Sequence, residues 1–391
     1  MRNNRLPWMV LIFCALALGR PAPAAAQTLY TEDGEPTGLE EEIRWRVNRG
    51  RFDTVSENQL RGSSYTDVPA TAGPLAPNQK LALAARHHSE DMAKQNVFQH
   101  ETVVGSAYYN PVTQSNFWDR ITAEGYVWNG IAENIAAGYV GAEAVYMGWW
   151  HSEGHRLNMY HVNLREIGNG YYYWEASDYR RYYTMDLGVS GVDYFFTDTL
   201  FRDANSNGVY EAAEAVGGVA VRLLVDGSPT SHYDISSSVG SFAIPIGAIV
   251  PSSTVQVVLS NTTAATLALT IPVDYWTNRA LTLAPGESRV CGTFTTGATW
   301  GGRRNIGLRN ITPPAPPAAP YLHLARLGAD MQLEWLSAVG VQYQPLWSTN
   351  FQVWNNLTAN PLNGTGTNLT CLDVGATAHE RRFYRLQVIQ P

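Results

Sequence analysis

Near Asp193 the apolar residues of this 391-residue chain change period, from the 3.6-residue rhythm of helices to short alternating runs, so two kinds of module are expected. Upstream, Thr37 and Glu40 open a capping box, and Leu39, Ile43 and Val47 recur every four residues on one helix face. Asn78 stands as an N-cap before "QKLALAARHHSEDMAKQN", where Leu81, Ala84, Ala85, His88 and Met92 make one stripe. "NFWDRITAEG" and "GAEAVYMGWWHSE" read as shorter helices. "IGNGYYYWEASDYRRYYTMDLGV", dense in aromatics around central turn residues, reads as a β-hairpin. Few βαβ alternations occur, which predicts a layered α+β domain over 38–192.

Downstream, "GVAVRLLVDG", "GSFAIPI", "STVQVVLS" and "SRVCGTF" alternate with Gly, Pro, Ser and Asn, which predicts a small β-sandwich over 193–311. "TPPAPPAAP", residues 312–320, reads as a stiff polyproline-like linker. A second, smaller β-module is expected over 321–391, with Trp335, Tyr343 and Trp354 in its core. The fold class is therefore α+β followed by two all-β, sandwich-like modules.

The start reads as a secretory signal peptide, residues 1–26. Arg2 and Arg5 precede an apolar run from Leu6 to Leu18, and small residues lead up to Ala26. That run is short for a membrane span, and no later stretch is longer, so an integral membrane protein is not expected. The leader carries three arginines and no acid, so its removal takes the formal charge from −7 to −10. An acidic surface argues against nucleic acid as a partner. Cys291 and Cys371 lie far apart and read as two buried free thiols.

The stretch "GWWHSEGHRLNM" places His151 and His155 four apart with Glu153 between them. A zinc protease needs its glutamate directly after the first histidine. Here it stands two on, about 200° round a helix, and Gly154 weakens the helix. Residues farther apart give a better account. Phe98 and His100 come first, then Ala132-Glu133-Asn134-Ile135-Ala136. Trp149, Ser152, His155, Arg156, Asn158 and Met159 follow, then Ile167, Gly168 and Gly170. With these motifs in this order, roughly residues 38–190 resemble the bacterial branch of the CAP superfamily. That superfamily is also called SCP-like, or the cysteine-rich secretory, antigen 5 and pathogenesis-related 1 family.

The resemblance implies an α-β-α sandwich with an open cleft. It places His100, Glu133 and His155 in that cleft, supported by Asn134, Ser152, Arg156 and Asn158. Some relatives hold a divalent metal through the two histidines, so His100 and His155 are candidate ligands for a zinc-like ion. A second acid of many eukaryotic members is replaced here by Ser152. His87, His88, His151 and His161 read as surface or helix-face residues.

"DANSNGVYEAAE", residues 203–214, fits the calcium-loop pattern at every fixed position. Asp203, Asn205, Asn207 and Glu214 would supply side-chain oxygens and Val209 its carbonyl, for a structural calcium. Strand-like flanks replace the helices of an EF-hand. With them the segment resembles the opening of SdrD B-repeat or Cna-B-like bacterial surface sandwiches. The C-terminal module resembles a loosely fibronectin-like module of secreted bacterial proteins.

Three functions fit these features. The first is a secreted protein binding a small hydrophobic or peptidic ligand in the cleft, with the β-modules for spacing or surface attachment. The second is a metal-dependent hydrolase or peptidase using His100, Glu133 and His155, although no serine or cysteine nucleophile stands beside a base. The third is an adhesive or structural extracellular protein. Lipid, sterol, peptide and polysaccharide all remain open as ligands.

Overall fold

Helix α1, Gly38–Phe52, starts where the capping box requires: the Thr37 N–H donates to Glu40 Oε2 at 2.8 Å, and the Glu40 N–H to Thr37 Oγ1 at 3.4 Å. The computed structural model describes residues 33–106, 108–112, 115–191, 194–296, 305–314, 322–338, 341–350, 352–378 and 381–389. The leader expected at 1–26 and most of the linker at 312–320 lie outside them. After α1 come α2, Thr54–Arg61; β1, Ala76–Pro77; α3, Gln79–Gln95; and α4, Phe117–Ala123. Strand β2, Gly130–Ala137, precedes α5, Gly141–Trp150, and α6, Glu153–Met159. Strands β3, Glu166–Tyr173, and β4, Arg181–Val189, form the expected hairpin.

These strands make one sheet in the order β1-β3-β4-β2. Alternation sorts β4 between two layers. Tyr183, Met185 and Leu187 enter a core with Ile43 and Val47 of α1 and Val145 and Trp149 of α5. On the opposite face, Tyr182 joins Met92 of α3, and the Ser89 hydroxyl donates to Thr184 Oγ1 at 2.9 Å. The result is the α-β-α sandwich. Gly168 and Gly170 explain the spacing in "IGNG". A Cβ at Gly168 would lie 2.0 Å from the Ala82 nitrogen, and one at Gly170 2.3 Å from the Ala85 carbonyl carbon, so only glycine lets β3 lie against α3.

Several expectations need correction. "GAEAVYMGWWHSE" is not one helix: α5 ends at Trp150, and Ser152, extended at φ −99°, starts α6. His88 is buried rather than at the surface. Of the two cysteines Cys291 is buried, but Cys371 is partly exposed, because its strand covers only one face of a thin module. Helix α2 was not anticipated, although its signals were present: Asp53 accepts from the Val55 and Ser56 N–H groups, and Gly62 closes it at φ 61°.

The β region begins with β5, Phe195–Thr199; β6, Val219–Val225; β7, Ser228–Ile235; and β8, Ser241–Pro245. It continues with β9, Thr254–Asn261; β10, Leu267–Pro272; β11, Asn278–Leu283; and β12, Ser288–Thr295. A four-stranded sheet, β12-β9-β6-β7, shares one apolar core with the pairs β5-β8 and β10-β11. The last segment has β13, His323–Leu327; β14, Asp330–Leu336; β15, Gln342–Ser348; and β16, Asn355–Asn356. It ends with β17, Leu362–Asn363; β18, Asn368–Asp373; and β19, Phe383–Ile389. Trp335 and Tyr343 fill its core, whereas Trp354 is only half-buried, beneath the Arg385 guanidinium.

The α-β-α layer and the β5–β12 layer meet through buried polar groups. Arg44 is bonded to Glu41, and its guanidinium also donates to Leu75 O at 3.0 Å, Asp198 O at 3.1 Å and Thr199 Oγ1 at 2.9 Å. Trp45 packs edge-on to Phe201 beside Tyr210. The Tyr275 hydroxyl donates to Glu57, and the Asn305 amide donates to Pro74 O and Arg165 O. These contacts hold the β-sandwich against α1, α2 and the loops beside the sheet.

Candidate functional site

Strand β2 is the edge strand of its sheet, and a cleft runs along it. One hollow, about 400 Å³, is lined by Ile131–Glu133 with His100, Asn116, Trp118 and Asn158. A second, about 330 Å³, is lined by Ile135–Ala137 with Phe98, Tyr139, Tyr179, Ser152 and His155. His100 and His155, separated by 55 positions, therefore face neighbouring halves of one open cleft.

Their surroundings differ. His100 is 48% exposed at its side chain, and its Nδ1 lies 2.8 Å from Glu133 Oε1. The carboxylate accepts there, which fixes the proton on Nδ1 and leaves Nε2 as the second functional nitrogen. That hydrogen bond raises the His100 pKa above the ordinary value, burial opposing it. His155 stands in the first turn of α6 and is half-buried. Burial, then the neighbouring charge of His100, lowers its pKa.

Glu133 is buried at the centre of a charge network the sequence did not reveal. Arg120 of α4, itself buried, donates to Glu133 Oε2 at 2.5 Å, to His100 O at 2.9 Å and to Thr102 Oγ1 at 3.0 Å. Burial works against the Glu133 charge, yet Arg120 and His100 hold its carboxyl below the usual carboxylate range. Asp186 is the direct cross-strand partner of Glu133 in the β2–β4 register. Two carboxylates so placed repel each other. Burial, reinforced by the Glu133 charge, pushes the Asp186 pKa well up. Among the described residues neither Asp186 carboxyl oxygen has a hydrogen-bond partner, so this buried acid faces Glu133 without a cation of its own.

His88 completes the network from α3. Its Nε2 lies 2.8 Å from Gln99 O, so Nε2 carries the proton, and Nδ1 is buried without a partner. Burial first, and Arg120 second, pushes its pKa down to about 3.

The expected supporting residues divide. The Asn158 amide donates to Glu133 O at 3.3 Å and Asn134 Oδ1 at 2.9 Å, and the Asn134 amide donates to His155 O at 3.0 Å. These two tie α6 to β2. Ser152 lines the second hollow. Arg156 points elsewhere: it pairs with Asp67, donates to Trp150 O at 2.7 Å and stacks over Tyr65. It is a structural clamp rather than a cleft residue. His151 is also removed, its Nδ1 2.9 Å from the Tyr65 hydroxyl, so the two histidines of the quoted stretch do not share one helix face.

Among the described residues no group of three or more His, Cys, Asp or Glu side chains is placed to hold a metal. With Glu133 committed to Arg120 and His100, the cleft offers two imidazoles where a catalytic zinc uses three protein ligands. In the loop at 203–214, Asp203 carboxylate oxygens accept from the Asn207 and Gly208 N–H groups. The Asn205 and Asn207 side-chain oxygens accept from the N–H groups of Asn207 and Val209. Glu214 accepts from the Ala204 N–H through Oε1, while its Oε2 is buried without a partner.

Residues 47–187, which hold nearly all of the sheet and the whole cleft network, match the family model described as CAP, cysteine-rich secretory protein family. They form a CAP domain. The uncharacterized protein YkwD of Bacillus subtilis is 30% identical over 150 residues, 38% of this chain and 50% of YkwD. The uncharacterized membrane protein YlbC of the same organism is 30% identical over 155 residues, 39% of this chain and 38% of YlbC. The chain thus spans half or less of the length of these relatives. Among solved structures, an extracellular SCP-domain protein from Bacillus anthracis is 25% identical with a TM-score of 0.28, covering 39% of this chain and 41% of that one. An outer surface protein from Borrelia burgdorferi is 14% identical with a TM-score of 0.29, covering 38% and 90%. No described helix is long and apolar enough to cross a membrane.

Proposed function

We propose that the protein acts outside the cytoplasm as a binding protein whose CAP cleft holds an organic ligand without turning it over. The β-modules serve for spacing or surface attachment. The observation that carries this reading is the state of Glu133: it is sealed behind His100, committed to Arg120, and backed by Asp186. A carboxylate so occupied orients an imidazole and is not free to activate water or complete a metal site. The signal-like pattern of residues 1–26 supports action outside the cytoplasm.

The test is native mass spectrometry of the protein purified from its own secretions, followed by melting with the ligand so found. At 100 Kd of free ligand, stability should rise by about 2.7 kcal/mol. Ser152→Phe, which fills the second hollow, should abolish the rise. Turnover of the ligand that drops at least tenfold in His155→Ala would instead establish the hydrolase.

For the loop at 203–214 the reading includes a structural calcium. Support comes from the residue pattern and from the Glu214 oxygen left without a partner. The loop also touches α1, where the Ala212 N–H donates to Glu42 Oε1 at 2.8 Å. Millimolar calcium should therefore raise the melting temperature relative to chelator, and Glu214→Gln should remove most of that difference. Equal melting with and without calcium would rule the ion out.

A further inference from the structure

We propose that the ligand of the CAP cleft is an uncharged carbohydrate strand of two or more rings. This rests on reading the cleft as a binding site. The hollows lie in line, because residues 131–133 border one and 135–137 the other along a single strand. Four positions of β-strand separate their centres by about 13 Å. An elongated ligand with repeating units fits this layout better than a single compact one.

Chemistry narrows the class. Both hollows lie along an edge strand, and side chains with polar ends, His100, Glu101, Asn116 and Asn158 in one and Ser152 and His155 in the other, stand among the rings of their walls. An acyl chain or sterol lying there would leave much of its surface in water, forgoing about 25 cal/mol for each Å² not buried. An extended peptide would ordinarily add to the edge of a sheet through main-chain hydrogen bonds. On β2 the Trp149 indole already donates to Ile135 O at 3.1 Å, and Asn158 to Glu133 O, so that ladder is obstructed midway. Neither wall contains lysine or arginine, Arg120 is spent on Glu133, and Glu101 stands in the same wall as His100, so the hollows are poorly suited to phosphate, sulfate or carboxylate.

What the cleft does present is rings and short polar groups together. Trp118 is 43% exposed at one end, and Phe98 and Tyr179, 48% and 52% exposed with ring centroids 6.2 Å apart, stand at the other. A sugar ring has an apolar C–H face that packs on an aromatic ring, and an equatorial rim of hydroxyls that both donate and accept. Asn116, Asn158 and the two imidazoles supply matching donors and acceptors between the aromatic ends.

The experiment uses the full chain and calorimetric titration with neutral oligosaccharides of one to six units, drawn from glucose, N-acetylglucosamine and mannose series. Parallel titrations use a random decapeptide mixture and phosphatidylcholine vesicles with and without sterol. Affinity for one sugar series should rise at least tenfold between one and four units. Trp118→Ala and Tyr179→Ala should each weaken it at least tenfold, with melting temperatures of the free proteins unchanged. Binding of peptide or lipid that depends on those same residues would overturn the carbohydrate assignment and keep the cleft as a binding site. Failure of every probe to register Trp118→Ala or Tyr179→Ala would overturn both.

Discussion

Arg44→Met should lower the stability of the protein by about 3–5 kcal/mol, the cost of leaving a buried ionic partner unpaired. Both partners are sealed, with side-chain exposures of 2% for Arg44 and 0% for Glu41. Burial disfavours the guanidinium charge, but the Glu41 carboxylate outweighs it and raises the Arg44 pKa. Removing the guanidinium strands Glu41 and also takes donors from Leu75 O, Asp198 O and Thr199 Oγ1. Two of these groups belong to the β-sandwich, so the damage falls on the junction as well as on α1. Urea unfolding followed by tryptophan fluorescence reads the loss, since Trp45 sits in that junction. The double variant Glu41→Gln with Arg44→Met should recover a large part of it, because the stranded charge is then gone. A loss below about 1 kcal/mol in Arg44→Met would mean that the junction carries little of the stability.

That junction changes what the β-sandwich does for the CAP domain. The change of period near Asp193 marks where helices stop, and it reads naturally as the seam of a spacer. Arg44, Trp45 and Glu57 belong to the first two helices, yet their partners are Thr199, Phe201 and Tyr275. None of these pairs has a sequence signature, since their separations exceed 150 residues. Periodicity reports which face of a helix is apolar, and α1 buries both faces: Ile43 and Val47 towards the sheet, Arg44 and Trp45 towards the sandwich. Its polar residues therefore read as solvent-facing until the second layer is known.

The site was legible in a similarly partial way. The caps at Thr37 and Asn78 are local matters, settled by residues two or three apart, and they form as expected. His100, Glu133 and His155 came from motifs; the first two line one hollow along β2 and His155 the neighbouring one. Arg120 and Asp186 did not, because each joins Glu133 only through tertiary register: a helix laid across the loop, and the pairing of β2 with β4. His88 did leave a signal. It falls on the stripe of Leu81, Ala84, Ala85 and Met92, a position that belongs inside whatever its polarity. Arg156 shows the opposite error, a motif residue whose place in the pattern reflects the clamp on Asp67 rather than contact with a ligand.

His88 should cost the protein stability as pH drops below about 6.5, a share separable from those of the other titrating groups. In the fold His88 stays neutral: its Nε2–H is given to Gln99 O, and a proton on Nδ1 would find no acceptor and would face Arg120. Its pKa is pushed down to about 3, while in the unfolded chain it titrates near 6.5. For a depressed pKa the stabilising contribution is complete above the unfolded value, and it is lost as pH falls towards the folded one. Between those limits the unfolded state binds one more proton, so the loss is about 1.4 kcal/mol per pH unit. Asp91, raised to about 6 chiefly by burial, acts with the opposite sign, losing stability as pH rises from its unfolded value to its folded one. Glu133 and His100 add their own dependence. Comparison with His88→Gln isolates the histidine, because Gln can still donate to Gln99 O and does not titrate, while the other groups remain in both proteins. Urea unfolding of the two from pH 8 to pH 4 should give a stability difference that is level above pH 7 and then shifts against the wild type by about 2 kcal/mol by pH 5. A difference that stays level down to pH 4 would show that His88 can take a proton where it stands, and that the network around Glu133 is open to water.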